Sequence, residues 1–138
     1  MGIRYLLDTD TASYIIKRNN PVLDGRLTRV PIAQIAISAV TEGELCFGAA
    51  RLPHATRLHA LIEAFLLRVT VLPWDSDVAR QYGQFRAALE RQGQPMGSLD
   101  MTIGAHALAL GLVLVSHDRV FTRIKKLKVD DWTKTPLQ

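Results

Sequence analysis

Four acids have the spacing to do chemistry together: Asp8, Glu44, Asp100 and Asp118. Asp8 directly follows the apolar run Tyr5-Leu6-Leu7, and Asp118 comes three residues after Val115, the end of another apolar run. Glu44 falls about a turn and a half into the helical pattern that follows the run ending at Ser38. Asp100 lies in the first turn of a helical pattern opening at Ser98. In open α/β sheets, sites collect beyond the carboxyl ends of the strands, so all four acids are expected at one sheet edge. Carboxylates gathered there repel one another until protons or a cation relieve the charge. Hard divalent ions such as Mg²⁺ or Mn²⁺ take oxygen ligands and suit such a set. An ion held there can polarise a phosphodiester and lower the pKa of a water. The constellation reads as metal-assisted phosphodiester hydrolysis.

Each acid also has a plain structural use. Asp8 could sit at the positive N-terminal end of the following helix. Thr41-Glu42-Gly43-Glu44 fits the capping-box template, and Ser98-Leu99-Asp100 reads as a capping serine with an acid in the first turn. Ser116-His117-Asp118-Arg119 could be a turn. The functional reading rests on the conjunction of the four, not on any one.

The elements that must position them follow from periodicity. Arg4–Leu7, Ile35–Ser38 and Leu112–Val115 are short apolar runs suited to strands buried on both faces. Val69–Leu72 reads as a fourth strand and Leu127–Val129 as a short fifth. Helical spacing is present over Thr11–Lys17, Val40–Ala50, His54–Arg68, Asp75–Arg91 and Ser98–Leu110. The last stops at Gly111, a helix C-terminal signal. Strands alternating with helices predict a parallel sheet covered on both faces. The fold class is therefore α/β, a three-layer α/β/α sandwich around a mainly parallel sheet, with residues 1–138 forming one domain.

Bulk composition narrows the partners. The 138 residues are 48% hydrophobic and 22% charged, which excludes a disordered chain. A balance of 17 Lys+Arg against 13 Asp+Glu gives net +4, a mild excess that favours a polyanionic partner. Cys46 is the only cysteine, so no internal disulfide can form, and a reducing compartment is expected. Leu61–Leu72, the most apolar longer stretch, is broken by Glu63 and Arg68, so no membrane span is expected. The N-terminus lacks a secretory signal, and the expected location is the cytoplasm. No GxxxxGK[ST] loop or GxGxxG follows a strand, which argues against a nucleotide hydrolase.

At these acids the sequence resembles the PIN-domain family. Tyr5-Leu6-Leu7-Asp8-Thr9-Asp10 is similar to the family's opening strand. Ile37-Ser38-Ala39-Val40-Thr41-Glu42-Gly43-Glu44-Leu45, followed by Gly48, resembles its second block, in which the acid precedes a leucine. Gly97-Ser98-Leu99-Asp100 with Ile103-Gly104-Ala105-His106-Ala107 resembles the third, and Leu114-Val115-Ser116-His117-Asp118 the fourth. The four blocks keep the family's order, and the ending Val129-Asp130-Asp131-Trp132 is most similar to VapC-type toxins of bacterial toxin–antitoxin pairs.

The resemblance implies a metal-dependent endoribonuclease that uses Mg²⁺ or Mn²⁺, cuts tRNA or ribosomal RNA and forms a homodimer. It also implies a cognate VapB-type antitoxin whose tail blocks the acidic site. Carried over by position, Asp8 and Asp100 are the firmest metal ligands and catalytic acids, with Glu44 third and Asp118 fourth. Glu42 is the near rival of Glu44, and Asp10 stands where the family often has Asn. Thr9 and His117 are candidate substrate contacts. The competing reading is a catalytically silent metal-binding regulatory module of the same fold. A receiver domain matches less well, because Asp100 opens a helix.

Of the remaining residues, His54 and His59 are five apart, off a common helix face. His106 is expected to pack within its helix. Tyr14, Trp74, Phe85 and Trp132 read as core or interface anchors. Arg86 reads as a solvated helix charge, and Lys125, Lys126 and Lys128 form a basic run near Asp118 that could steer phosphate.

Overall fold

Strands that are mostly apolar on both faces need cover on both, and this requirement builds the molecule. In the computed structural model, which describes residues 2–134, five strands form one all-parallel sheet. They are β1 (Tyr5–Leu7), β2 (Ile35–Ser38), β3 (Thr70–Leu72), β4 (Val113–Val115) and β5 (Val129–Asp130). Their order is β3-β2-β1-β4-β5, which puts β1 at the centre. Register pairs Leu7 with Ile37 on one side and with Val115 on the other.

Alternate residues of the strands serve opposite layers. Leu6, Ala36 and Leu114 pack with Phe85, Met101, Ile103 and Phe121 in one core. Leu7, Ile35, Ile37 and Val115 pack with Ile16, Leu45, Phe65 and Trp132 in the other. The first core lies under α5 (Ser76–Arg91) and α6 (Ser98–Leu110). The second lies under α1 (Thr9–Lys17), α3 (Ala39–Ala50) and α4 (Thr56–Arg68). The three-layer α/β/α sandwich expected from the sequence is the fold. Among the described residues, no helix is long and apolar enough to cross a membrane.

The sequence pattern omits one helix, α2 (Pro21–Leu27). It has only seven residues, too few to show helical periodicity, but its start is encoded by chemistry. Asn20 accepts a hydrogen bond from the Leu23 N–H at 3.1 Å, and Pro21 occupies the first turn, where its missing N–H costs nothing. The fifth strand also lies slightly later than expected, at Val129–Asp130.

Two capping expectations are corrected. Ser38, not Thr41, caps α3, with its hydroxyl accepting from the Val40 N–H at 3.1 Å. Thr41 is thereby moved into the first turn and buried, so the capping box does not form. Gly97, not Ser98, precedes α6, and its end carries no side-chain cap. Elsewhere the signals hold: Asp75 caps α5 through the Val78 N–H at 3.1 Å. Gly111 ends α6 with φ of 66°, a left-handed conformation that suits a residue without Cβ.

Asp118 reaches its position through a 3₁₀ turn (Arg119–Arg123) pinned to the core by Phe121, which is fully buried. Phe121→Ala should therefore lower stability by about 3–5 kcal/mol, the usual cost of emptying a phenylalanine site. Urea unfolding would measure it, and a loss below ~1 kcal/mol would show that the turn is not held by this ring.

Candidate active site

Asp8 occupies the position the central strand gives it. Its N–H donates to the Val115 carbonyl at 3.0 Å, extending the ladder one residue past β1. Its carboxylate caps α1, accepting from the Thr11 N–H at 2.8 Å. One residue beyond the paired rows of the sheet, Asp8 has Ser38 on the β2 side and Ser116 on the β4 side. All three are buried. Burial pushes the Asp8 carboxyl above its ordinary value and Asp10 pushes it further, while the Ser116 hydroxyl and the Thr11 hydroxyl and N–H pull it back.

The crevice between β1 and β4 is where the strand order reverses, the usual place for a site in such sheets. Asp118 stands at its far side and is exposed. Its N–H donates to Ser116 Oγ at 3.0 Å, and its carboxylate accepts from the Val120 N–H at 3.0 Å. The turn expected over Ser116–Arg119 is therefore present, held by these two bonds. Asp100, half-buried in the first turn of α6, completes the group. Burial raises its carboxyl first, and the negative charges of Asp118, Asp8 and Asp10 raise it further.

The structure therefore brings Asp8, Asp100 and Asp118 into one electrostatic neighbourhood, with Asp10 at its margin. Glu44 is exposed on α3, and no hydrogen bond or ion pair among the described residues ties it to the other three. Its helix is tied to the group instead. The Thr9 and Thr41 hydroxyls lie 3.1 Å apart, joining the first turn of α1 to the first turn of α3. Glu42, also on α3, is half-buried. His117 is exposed, with its ring 5.5 Å from that of Tyr14, beside the Asp118 turn.

A second link holds α3 from behind. His106, fully buried on α6, has Nδ1 2.8 Å from Ser38 Oγ, the same oxygen that caps α3. Burial pushes its pKa down against the opposing pull of Asp75 and the Pro73 carbonyl, so the ring is neutral at pH 7. Nε2 meets no partner at hydrogen-bond geometry among the described residues. The expectation that His106 merely packs in its helix understates it. Of the residues bordering the site, sequence reasoning missed Ser38, Thr41 and Ser116 as contributors. Ser38 and Ser116 were legible in principle, since each ends an apolar strand flanking the one that ends in Asp8.

None of Asp8, Asp10, Glu44, Asp100 or Asp118 forms an ion pair with a basic side chain among the described residues. The donor set is carboxylate and hydroxyl oxygen, which fits a hard divalent cation. Among the described residues, no three acids or histidines close on a common point as they stand. The acids thus do not stand as a closed ligand set, and Mg²⁺ commonly takes only one or two carboxylates and keeps its waters.

Comparison with known proteins agrees with the fold. The PIN domain family matches residues 5–127. The tRNA(fMet)-specific endonuclease VapC of Shigella flexneri is 36% identical over 132 residues, which span 95% of this chain and 99% of that one. Ribonuclease VapC2 of Haemophilus influenzae is 35% identical, over 94% of this chain and 98% of its own length. Among solved structures, the DNA-bound VapBC of Salmonella typhimurium superposes with a TM-score of 0.87 at 35% identity, covering 94% of this chain and 98% of that one. The chain belongs to the PIN-domain family and groups there with the VapC ribonucleases.

The crowding of acids makes a stability prediction. In buffer with EDTA, Asp100→Asn should be more stable than wild type by roughly 0.5–2 kcal/mol, because it removes one repelling charge. The Asp100 carboxyl is raised in the folded state, so the native protein takes up the proton before the unfolded chain does as pH falls. The variant's advantage should therefore be full near neutral pH and shrink as pH drops through the raised value towards the ordinary carboxylate range. Thermal unfolding at several pH values measures it, and an advantage that grows on acidification would refute the assignment.

Proposed function

We propose that this chain is a metal-dependent endoribonuclease, the toxin of a toxin–antitoxin pair, and that its natural substrate is a tRNA. One observation carries the reading: a buried Asp8, with Asp100 and Asp118 beside it, at a strand-order switch, without a basic partner among the described residues. Asp8 and Asp100 would hold Mg²⁺ or Mn²⁺, with Asp118 and Glu44 completing the acidic set. Bound there, the ion supplies Lewis acidity towards the phosphodiester and lowers the pKa of a water.

The chain's own groups set the rest. The Thr11 N–H, donating at 2.8 Å, holds one oxygen of the Asp8 carboxylate in place, so that oxygen need not reorganise as charge develops. The Thr9–Thr41 contact sets the distance between the Asp8 and Glu44 helices, and the Thr9 hydroxyl can also meet a substrate or a water. His117, exposed beside Asp118, is placed to contact phosphate. A VapB-type antitoxin is the partner this reading requires, its tail covering the acids, and solved relatives of this chain are VapBC complexes. We take the working form to be a cytoplasmic homodimer.

The test is cleavage of tRNA(fMet), total tRNA and ribosomal RNA by purified, antitoxin-free protein with Mg²⁺, with Mn²⁺ and with EDTA. Discrete cuts should require the metal. Asp8→Asn and Asp100→Asn should each slow them on the order of 100-fold or more, since even groups that only orient a metal ligand cost about 10–100-fold. Folded protein that cuts no RNA with either metal would instead favour the catalytically silent metal-binding module.

A further inference from the structure

Five of the chain's 17 basic residues fall between Arg119 and Lys128, and no acid interrupts them. All five are exposed, and none forms an ion pair among the described residues. This contrasts with Arg26 and Arg86, whose charges are answered by Asp130 and Glu90. Unanswered cations in one short stretch raise the local positive potential and attract a polyanion.

Three of them, Arg123, Lys125 and Lys126, form one wall of a groove of about 620 Å³. The opposite wall is the outer side of α5 and the loop after it, which contributes four glutamines: Gln81, Gln84, Gln92 and Gln94. The floor is apolar, from Phe85, Leu89 and Ile124 among others, and no acid lines the groove. Primary amides both donate and accept hydrogen bonds, as base edges do. Cations pair with phosphates, and an apolar floor receives the faces of unpaired bases.

Both walls of the groove connect along the chain to the segments that carry the acids. The basic wall begins five residues after Asp118, at the end of the same 3₁₀ turn. The glutamine wall ends at Gln94, six residues before Asp100, on the loop that leads into α6.

We propose that this groove is a second RNA-binding site, which takes single-stranded RNA flanking the cleaved bond: Arg123, Lys125 and Lys126 hold its phosphates and the glutamines contact its bases. The inference rests on the ribonuclease reading and adds to it where part of the substrate lies. It makes the affinity of the enzyme for RNA separable from the acids that cut it.

The test uses the full-length protein with Asp100→Asn to prevent cutting, and a short fluorescein-labelled single-stranded RNA followed by anisotropy over a range of salt. Arg123→Ala/Lys125→Ala/Lys126→Ala should weaken binding by at least about tenfold at low salt. It should also lower the slope of log K against log salt by about 2, since each phosphate contact on a single strand contributes about 0.7. A charge-matched control, Lys17→Ala/Arg57→Ala/Arg68→Ala, should keep the slope, and unchanged thermal unfolding of both triple variants excludes misfolding. Gln92→Ala/Gln94→Ala should change which RNA sequences bind best and leave the salt slope alone. The groove is the wrong site if both triple variants bind RNA alike, or if the basic triple loses binding of labelled polyglutamate but not of RNA. Cleavage by wild type separates the two failures: cutting intact with the groove variant binding normally overturns only this inference, whereas no RNA binding or cutting by wild type overturns both.

Discussion

Asp8 is a carboxylate that the fold withholds from water. It sits at the end of the central strand, between two buried serines, with its charge opposed by burial and only partly eased by the Thr11 N–H that donates to it. Moving a lone carboxylate into such a place is expensive. The rest of the upper edge is arranged around that cost. Asp100 and Asp118 add charge of the same sign where a purely structural protein would place an arginine or lysine. Stability sacrificed at one spot is a common mark of a functional site, because a site must bind what it does not already contain.

Keeping such a group in place needs rigid support, and short polar links between layers supply it. Thr9 meets Thr41 across α1 and α3, while His106 reaches from α6 to Ser38, the cap of α3. The first joins two helices that follow neighbouring strands, and the second joins a helix to the end of β2. The apolar cores on the two faces supply the bulk of the stability, whereas these few hydrogen bonds decide how the acids face one another. Phe121 acts likewise through packing, anchoring the turn that carries Asp118.

Charge is distributed as unevenly as polarity. A chain of net +4 places Asp8, Asp10, Asp100 and Asp118 near one another and follows Asp118 with a run of cations that form no ion pair among the described residues. The negative centre is thus bordered by positive surface. An RNA strand would be drawn by the second and strained by the first, unless a divalent cation lies between phosphate and carboxylate.

The layered α/β fold was readable from local pattern, because short apolar runs alternate with helical periodicity and each strand is followed closely by a helix. That Asp8, Asp100 and Asp118 would gather near one another was readable too, since they sit at element ends whose direction is fixed by parallel pairing. Single-residue chemistry was less legible. Ser38 and Ser98 each sit at a possible helix start, yet only Ser38 caps one, and α2 was too short to show a period. What the chain alone could not determine is anything set by strand order and side-chain approach: the His106–Ser38 contact, and the groove between Gln81–Gln94 and Arg123–Lys126. Periodicity reports which face of an element is apolar, and so fixes layers. Which side chains then meet across the layers depends on register and packing between distant segments, and only the folded chain decides that.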